Sequence, residues 1–154
     1  MEKGFNKVIR VLLVTLFSII TLLAVVQVVT RFAGISMSWI DEAMRFLFIW
    51  FAFIGSAYAI REKKHIVVDL LSESISKNII RVLDVLVHLI MLSFIFVLIK
   101  YGYEVANVMG IQKSSSMRIP MFYVFLAIPI SGLLMLFYTI LNLVDLIKGK
   151  EERI

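Results

Sequence analysis

Cysteine is absent from this chain of 154 residues, and proline occurs only twice. The absence of cysteine excludes disulfides, thiolate metal sites and cysteine nucleophiles. Both prolines, Pro120 and Pro129, fall in one C-terminal apolar stretch, and no linker rich in glycine and serine divides the chain. We therefore expect a single membrane domain over residues 1–154.

Charged residues are missing from residues 11–30, 46–60 and 119–144, and residues 82–99 contain only Asp84 and His88 as ionisable groups. Hydrophobic residues make up 61% of the chain, against about 45–50% in soluble domains. Some 20 helical residues cover the roughly 30 Å hydrocarbon core. The sequence predicts an all-α integral membrane protein with four transmembrane helices. These spans are predicted at about residues 8–31, 39–61, 81–100 and 119–145.

Basic residues are distributed unevenly between the loops. Eleven of the 16 lie in three regions, residues 1–10, 61–81 and 148–154, which are the two termini and the connection between the second and third spans. Because lysine and arginine stay preferentially in cytoplasmic loops, this bias predicts an N-in, C-in orientation. The net charge of +5 then faces anionic membrane lipids, which explains it without a nucleic-acid partner.

The connection between the second and third spans has helical periodicity. Val67, Leu71, Ile75 and Ile79 recur every four residues, and Asp69, Ser72, Glu73, Ser76 and Lys77 occupy the other faces. We predict an amphipathic interfacial helix over about residues 66–80. A cytoplasmic extension of the third transmembrane helix is the alternative. The polar residues singled out in this connection are His65 and Asp69.

The densest polar cluster opens the second span, where Ser38 is a plausible helix cap. Asp41 and Glu42 lie four and three residues before Arg45, so the guanidinium can be neutralised within its own helix. Two carboxylates against one arginine leave one of them for another chain. The alternative is a self-satisfied charged helix end, with Trp39 and Trp50 as interfacial or packing aromatics. Further along, two small-residue pairs four apart allow close helix packing. We expect a partner interface at Trp39, Asp41, Glu42, Arg45, Trp50, Gly55 and Ala59, with Ala52 and Ser56 as the second small pair.

Other polar residues in the spans have mainly structural interpretations. Asp84 and His88 are four residues apart, and Asp84 can pair with Arg81 near the start of its span, which favours anchoring over proton transfer. Pro129 lies inside the fourth span and predicts a kink there, whereas Pro120 is expected in the first helical turn.

The sequence predicts no enzyme, since we find no catalytic constellation, no cofactor site and no metal site. The two histidines, His65 and His88, lie near one membrane edge, which disfavours a membrane anchor of a haem or quinone enzyme. No span has a carboxylate near its middle, which disfavours a stand-alone small four-helix exporter. Both remain alternatives to an accessory subunit of a larger transporter.

Two runs of residues resemble the small membrane subunit of tripartite ATP-independent periplasmic (TRAP) transporters. The second run is 116–129, with its two prolines and Tyr123, and it matches the family's spacing only approximately. Asp41 stands where the family usually has glutamate, which keeps the charge. The first run consists of Trp39, Asp41, Glu42, Arg45, Phe46, Trp50, Gly55, Ala57, Arg61, His65, Val68, Asp69 and Leu70.

The resemblance implies a multi-pass protein of the bacterial inner membrane that works with two partners. A large permease subunit would carry the substrate and sodium sites on an elevator domain, and a periplasmic binding protein would deliver an organic anion. The imported anion would be a dicarboxylate, a sialic acid or a similar carboxylate. This chain would bind no cofactor itself and would serve as the scaffold for the elevator.

Overall fold

The computed structural model describes residues 2–62 and 77–147. Within these ranges the regular secondary structure is helical, apart from one isolated antiparallel bridge between Lys113 and Pro120. The helices, in chain order, are α1 (Glu2–Phe32), α2 (Ser38–Glu62), α3 (Lys77–Met109), α4 (Met121–Phe125) and α5 (Ala127–Ile147).

Four apolar segments in the described ranges are long enough to cross a membrane, which confirms the predicted fold class. They are Gly4–Phe32, Ser38–Glu62, Val85–Met109 and, across α4 and α5, Met121–Val144. α3 continues nine residues beyond the predicted end of the third span at residue 100, because Lys100 and Glu104 are compatible with a helix. Gly110, where the chain turns, follows its last residue.

In the described ranges the spans form an open row in the order α1, α2, α5, α3 and do not close into a bundle. In the described ranges α1 packs on α2, α2 packs on α5, and α5 packs on α3, whereas α1 and α3 do not pack on one another. The central contact is an apolar cluster of Ala57, Ile95 and Met135 from α2, α3 and α5. α2 and α5 therefore lie in the middle, and α1 and α3 lie at the edges.

The last span is interrupted, but not at the proline itself. α4 ends at Phe125, Leu126 separates it from α5, and Pro129 is the third residue of α5. A proline ring clashes with the carbonyl four residues earlier, here that of Phe125, while its missing N–H costs little in a first turn. The interruption therefore falls just before the predicted kink. Pro120 precedes α4 and does not lie in its first turn.

Most of the predicted interfacial helix lies outside the described residues, including His65, Val67, Asp69, Leu71 and Ile75. Ile79 is described and is half exposed on α3, which already begins at Lys77. The four residues 77–80 thus follow the alternative interpretation, an extension of the third transmembrane helix.

Candidate partner interface

The predicted polar cluster opens α2, which begins at Ser38. The Ser38 hydroxyl was predicted to cap its own helix, but it contacts a different part of the chain. Its oxygen lies 3.2 Å from that of Ser116, in the loop between α3 and α4. The first turn of α2 is therefore joined to a distant part of the chain.

Glu42 makes the strongest part of this junction. Its two carboxylate oxygens accept hydrogen bonds from the backbone N–H groups of Ser116, at 2.9 Å, and Met117, at 2.8 Å. Hydrogen bonds to an ionised acceptor are about twice as strong as neutral ones. Glu42 is therefore occupied within its own chain.

The loop that Glu42 holds, residues 110–120, is itself internally bonded. Ser114 N–H donates to Ile119 O at 2.9 Å, Ile119 N–H donates to Ser114 Oγ at 3.1 Å, and Met121 N–H donates to Gln112 O at 2.9 Å. Arg118 adopts the left-handed conformation with φ of 54°, which the surrounding bonds sustain. The result is an ordered platform at the end of the molecule where α2 begins.

Asp41, the second carboxylate of the cluster, accepts a hydrogen bond from the Gln27 side-chain amide near the end of α1. A cleft of about 130 Å³ lies beside this contact, and Thr30 and Arg31 also line it. Drug-sized ligand sites usually have volumes of about 300–1,000 Å³. The cleft is therefore smaller than a typical site for a drug-sized ligand.

Arg45 is placed differently from the prediction. Because Asp41 and Glu42 bind elsewhere, neither pairs with it, and no ion pair or hydrogen bond to its side chain occurs within residues 2–62 and 77–147. The Arg45 side chain is exposed on the surface of α2. Among the residues that the structure describes, the cation therefore has no compensating group.

The remaining interface candidates are divided between two sides of α2. Gly55 faces α1, since a Cβ at this position would lie 3.7 Å from a methyl of Leu13. Trp39 is 46% exposed, while Trp50 and Ala59 are partly buried. Of the two small-residue pairs, only Ala52 and Ser56 extend the surface on which Arg45 lies.

The opposite end of the molecule has its own polar contacts, which sequence reasoning missed. The Arg10 guanidinium on α1 donates to Tyr58 Oη at 3.0 Å and lies 3.4 Å from Glu62 Oε1, both on α2. Arg61 of α2 donates to the amide oxygen of Asn142 on α5 at 2.7 Å. These contacts tie three helices together through side chains.

Asn142 also donates to the carbonyl of Ile60 at 2.9 Å and is 5% exposed. Tyr138, on the same helix, donates to Asn6 Oδ1 at 3.0 Å. The only signal for these contacts in the sequence was the presence of an asparagine and a tyrosine in an otherwise apolar stretch.

His88 is buried and has an interaction partner, whereas the side chain of Asp84 lies outside the described set.

Comparison with known proteins shows which family this chain resembles in sequence. The family profile "Tripartite ATP-independent periplasmic transporters, DctQ component" matches residues 20–149. The chain is 26% identical over 136 residues to the sialic acid TRAP transporter permease protein SiaT of Haemophilus influenzae (strain 86-028NP). That match covers 88% of this chain and 22% of the relative.

A putative TRAP transporter small permease protein of Haemophilus influenzae (strain ATCC 51907 / DSM 11121 / KW20 / Rd) is 35% identical over 69 residues. This second match covers 43% of this chain and 42% of that relative, so the chain spans less than half the length of either protein. The family is a transporter component, which excludes an enzyme and decides against the haem anchor and the stand-alone exporter. With its four apolar helices, the chain is a multi-pass inner-membrane protein that belongs to the DctQ family of TRAP transporter small permease components.

Proposed function

We propose that the chain is the scaffold of a sodium-driven importer of an organic anion. Its partners are a large permease subunit and a periplasmic binding protein, and its orientation is N-in, C-in. The transported anion belongs to the carboxylates, such as a dicarboxylate or a sialic acid. The large subunit binds the sodium ions and carries the substrate.

The absence of charged side chains from the middle of the apolar spans is the observation that carries this proposal. Residues 11–30, 46–60, 89–99 and 119–144 have no charged side chain, and the buried polar groups described on α5 are the neutral Ser131, Thr139 and Asn142. Membrane transporters bind ions and anions at ionisable groups or interrupted helices near the bilayer midplane. The interruption of the last span at Leu126 lies near the start of the segment Met121–Val144 and not at its middle. Spans without deep charges or a break near the midplane require another subunit for the chemistry.

The comparison with SiaT supports a large partner. The segment similar to this chain makes up 22% of that permease. We infer that a counterpart of the remaining, larger part of that permease works together with this segment. The extensive apolar surface of α1 and α3 is available to lipid.

Reconstitution tests the proposal. The tagged chain is purified from native membranes in mild detergent, and the bound proteins are identified by mass spectrometry. We expect a polytopic permease in stoichiometric amount. Proteoliposomes that contain both subunits should import a carboxylate only with an inward sodium gradient and the binding protein. Purification of the chain without any permease, or uptake that is independent of sodium, would contradict the proposal.

A further inference from the structure

We infer that the free stripe of α2, defined here as Arg45, Phe48, Ala52 and Ser56, is the surface to which a helix of the large permease docks, with a carboxylate of that helix paired to Arg45. This inference rests on the proposed function, because it locates the partner that the function requires. The four residues follow one another at intervals of three or four and therefore share one helical face.

The other sides of α2 are already occupied by helices of the same chain. Towards α1, the Phe51 ring lies 5.7 Å from that of Phe17, and Gly55 faces Leu13. Towards α5, Ala57 is fully buried against Met135. The free stripe is the part of α2 that these contacts leave open, with Phe48 57% exposed and Arg45 and Ser56 exposed.

The charge of Arg45 identifies the chemistry of the occupant. A cation on a membrane helix is costly unless a counter-charge or water meets it, and the described residues offer Arg45 neither a carboxylate nor a hydrogen-bond acceptor. The nearest acidic residues in sequence are bound to Gln27 and to the loop backbone. No described residue supplies the complementary group, and an acidic side chain of a partner helix fits a planar guanidinium with two parallel hydrogen bonds.

The rest of the stripe fits an approaching helix. Ala52 and Ser56 are small, and the Ser56 hydroxyl donates to the Ala52 carbonyl at 2.7 Å, so it needs no partner of its own. Small residues let a second backbone come close, which is how helices associate when lipid removes the hydrophobic driving force. The stripe thus combines one charged contact near its end with close packing over the next two turns.

Charge reversal in the intact complex tests the pairing. We expect Arg45→Glu to reduce the permease recovered with the tagged chain at least tenfold, and Arg45→Lys to retain most of it. Lys100→Glu is the matched control, because Lys100 is an exposed cation on a different helix, α3. A carboxylate-to-arginine change in the permease that restores recovery with Arg45→Glu would identify the partner residue. Normal recovery of the permease with Arg45→Glu would overturn the inference.

Photo-crosslinking tests the location independently of folding defects. The photoreactive residue p-benzoylphenylalanine is introduced at Phe48. The control position is Phe96, an aromatic residue of α3 that is 70% exposed. We expect Phe48 to give an adduct with the permease. Mass spectrometry would identify the permease by peptides similar to the part of SiaT that this chain does not match. Adducts at Phe48 with lipid alone, or with a second copy of this chain, would overturn the inference. Failure of the native chain to bind any permease would instead refute the proposed function.

Discussion

The two edge helices are attached to the middle of the molecule in different ways. α3 meets α5 by close backbone approach: a Cβ on Gly102 would lie 2.6 Å from Ile128 Cγ2, and one on Gly132 would lie 2.8 Å from Ile99 Cγ1. α1 meets α2 through ordinary packing in its middle and polar contacts towards its ends. Close packing and hydrogen bonding are the two main ways in which helices associate in lipid. This protein uses one at each edge, so the two edges should respond to different substitutions.

Gly102→Leu should have the largest effect, because it forces α3 away from α5. Overpacking of this kind costs about 1–3 kcal/mol, and here the side chain would meet Ile128 and the Pro129 ring. We expect a lower thermal unfolding temperature in detergent and less folded protein in the membrane. Gly4→Leu is the control, since nothing lies within 4 Å of a Cβ at Gly4. Equal unfolding temperatures for the two variants would refute glycine-dependent packing of α3.

Asn142→Leu should have the next largest effect, and it extends the comparison to the central contact between α2 and α5. The substitution leaves Arg61 without one acceptor and the Ile60 carbonyl without one donor. Loss of a buried hydrogen-bonding partner costs about 1–3 kcal/mol. Asn107→Leu, at an exposed asparagine of α3, is the control. If both variants unfold at the same temperature, side-chain hydrogen bonds contribute little to the centre.

Glu42→Ala should have a local effect, because the carboxylate holds only the loop of residues 110–120. Without it, Ser116 and Met117 lose the acceptor of their backbone N–H groups. We expect hydrogen exchange at these two amides to accelerate by about tenfold, with little change in the unfolding temperature. Glu104→Ala, on the exposed surface of α3, should leave the exchange unchanged. Unaltered protection in Glu42→Ala would show that the loop is ordered by its internal bonds alone.

Tyr58→Phe should have the smallest effect, because the hydroxyl that it removes belongs to an exposed contact between α1 and α2. The Arg10–Glu62 ion pair beside it has side chains that are 67% and 53% exposed, and exposed ion pairs contribute little. We expect a decrease in unfolding temperature smaller than that of Asn142→Leu. Tyr123→Phe, at a tyrosine that is 59% exposed, is the control. A decrease as large as that of Gly102→Leu would remove the distinction between the two edges.

The fold was largely predictable because charge-free stretches determine where helices can cross a membrane. The limits of that argument appear at α3, where it ended the span near Lys100, although the helix continues to Met109. Proline chemistry correctly predicted an interruption of the fourth span. It placed the break at Pro129 and not four residues earlier, at the carbonyl that the ring displaces.

The polar contacts were less predictable because their partners are distant in the chain. Helical spacing paired Arg45 with Asp41 and Glu42, yet Glu42 binds a loop more than 70 residues later. Local rules identify which groups can meet within one helix. They contain no information about which loop folds over that helix, so the Glu42 contacts needed the structure.

The lengths of the edge helices bear on the membrane around the protein. At about 1.5 Å per residue, the 31 residues of α1 and the 33 of α3 extend roughly 46 and 50 Å, against a hydrocarbon layer of about 30 Å. Tilt alone absorbs only part of the difference. Both edge helices must therefore reach through the head-group layers, so the outermost surfaces of the subunit extend into water at one or both sides of the bilayer.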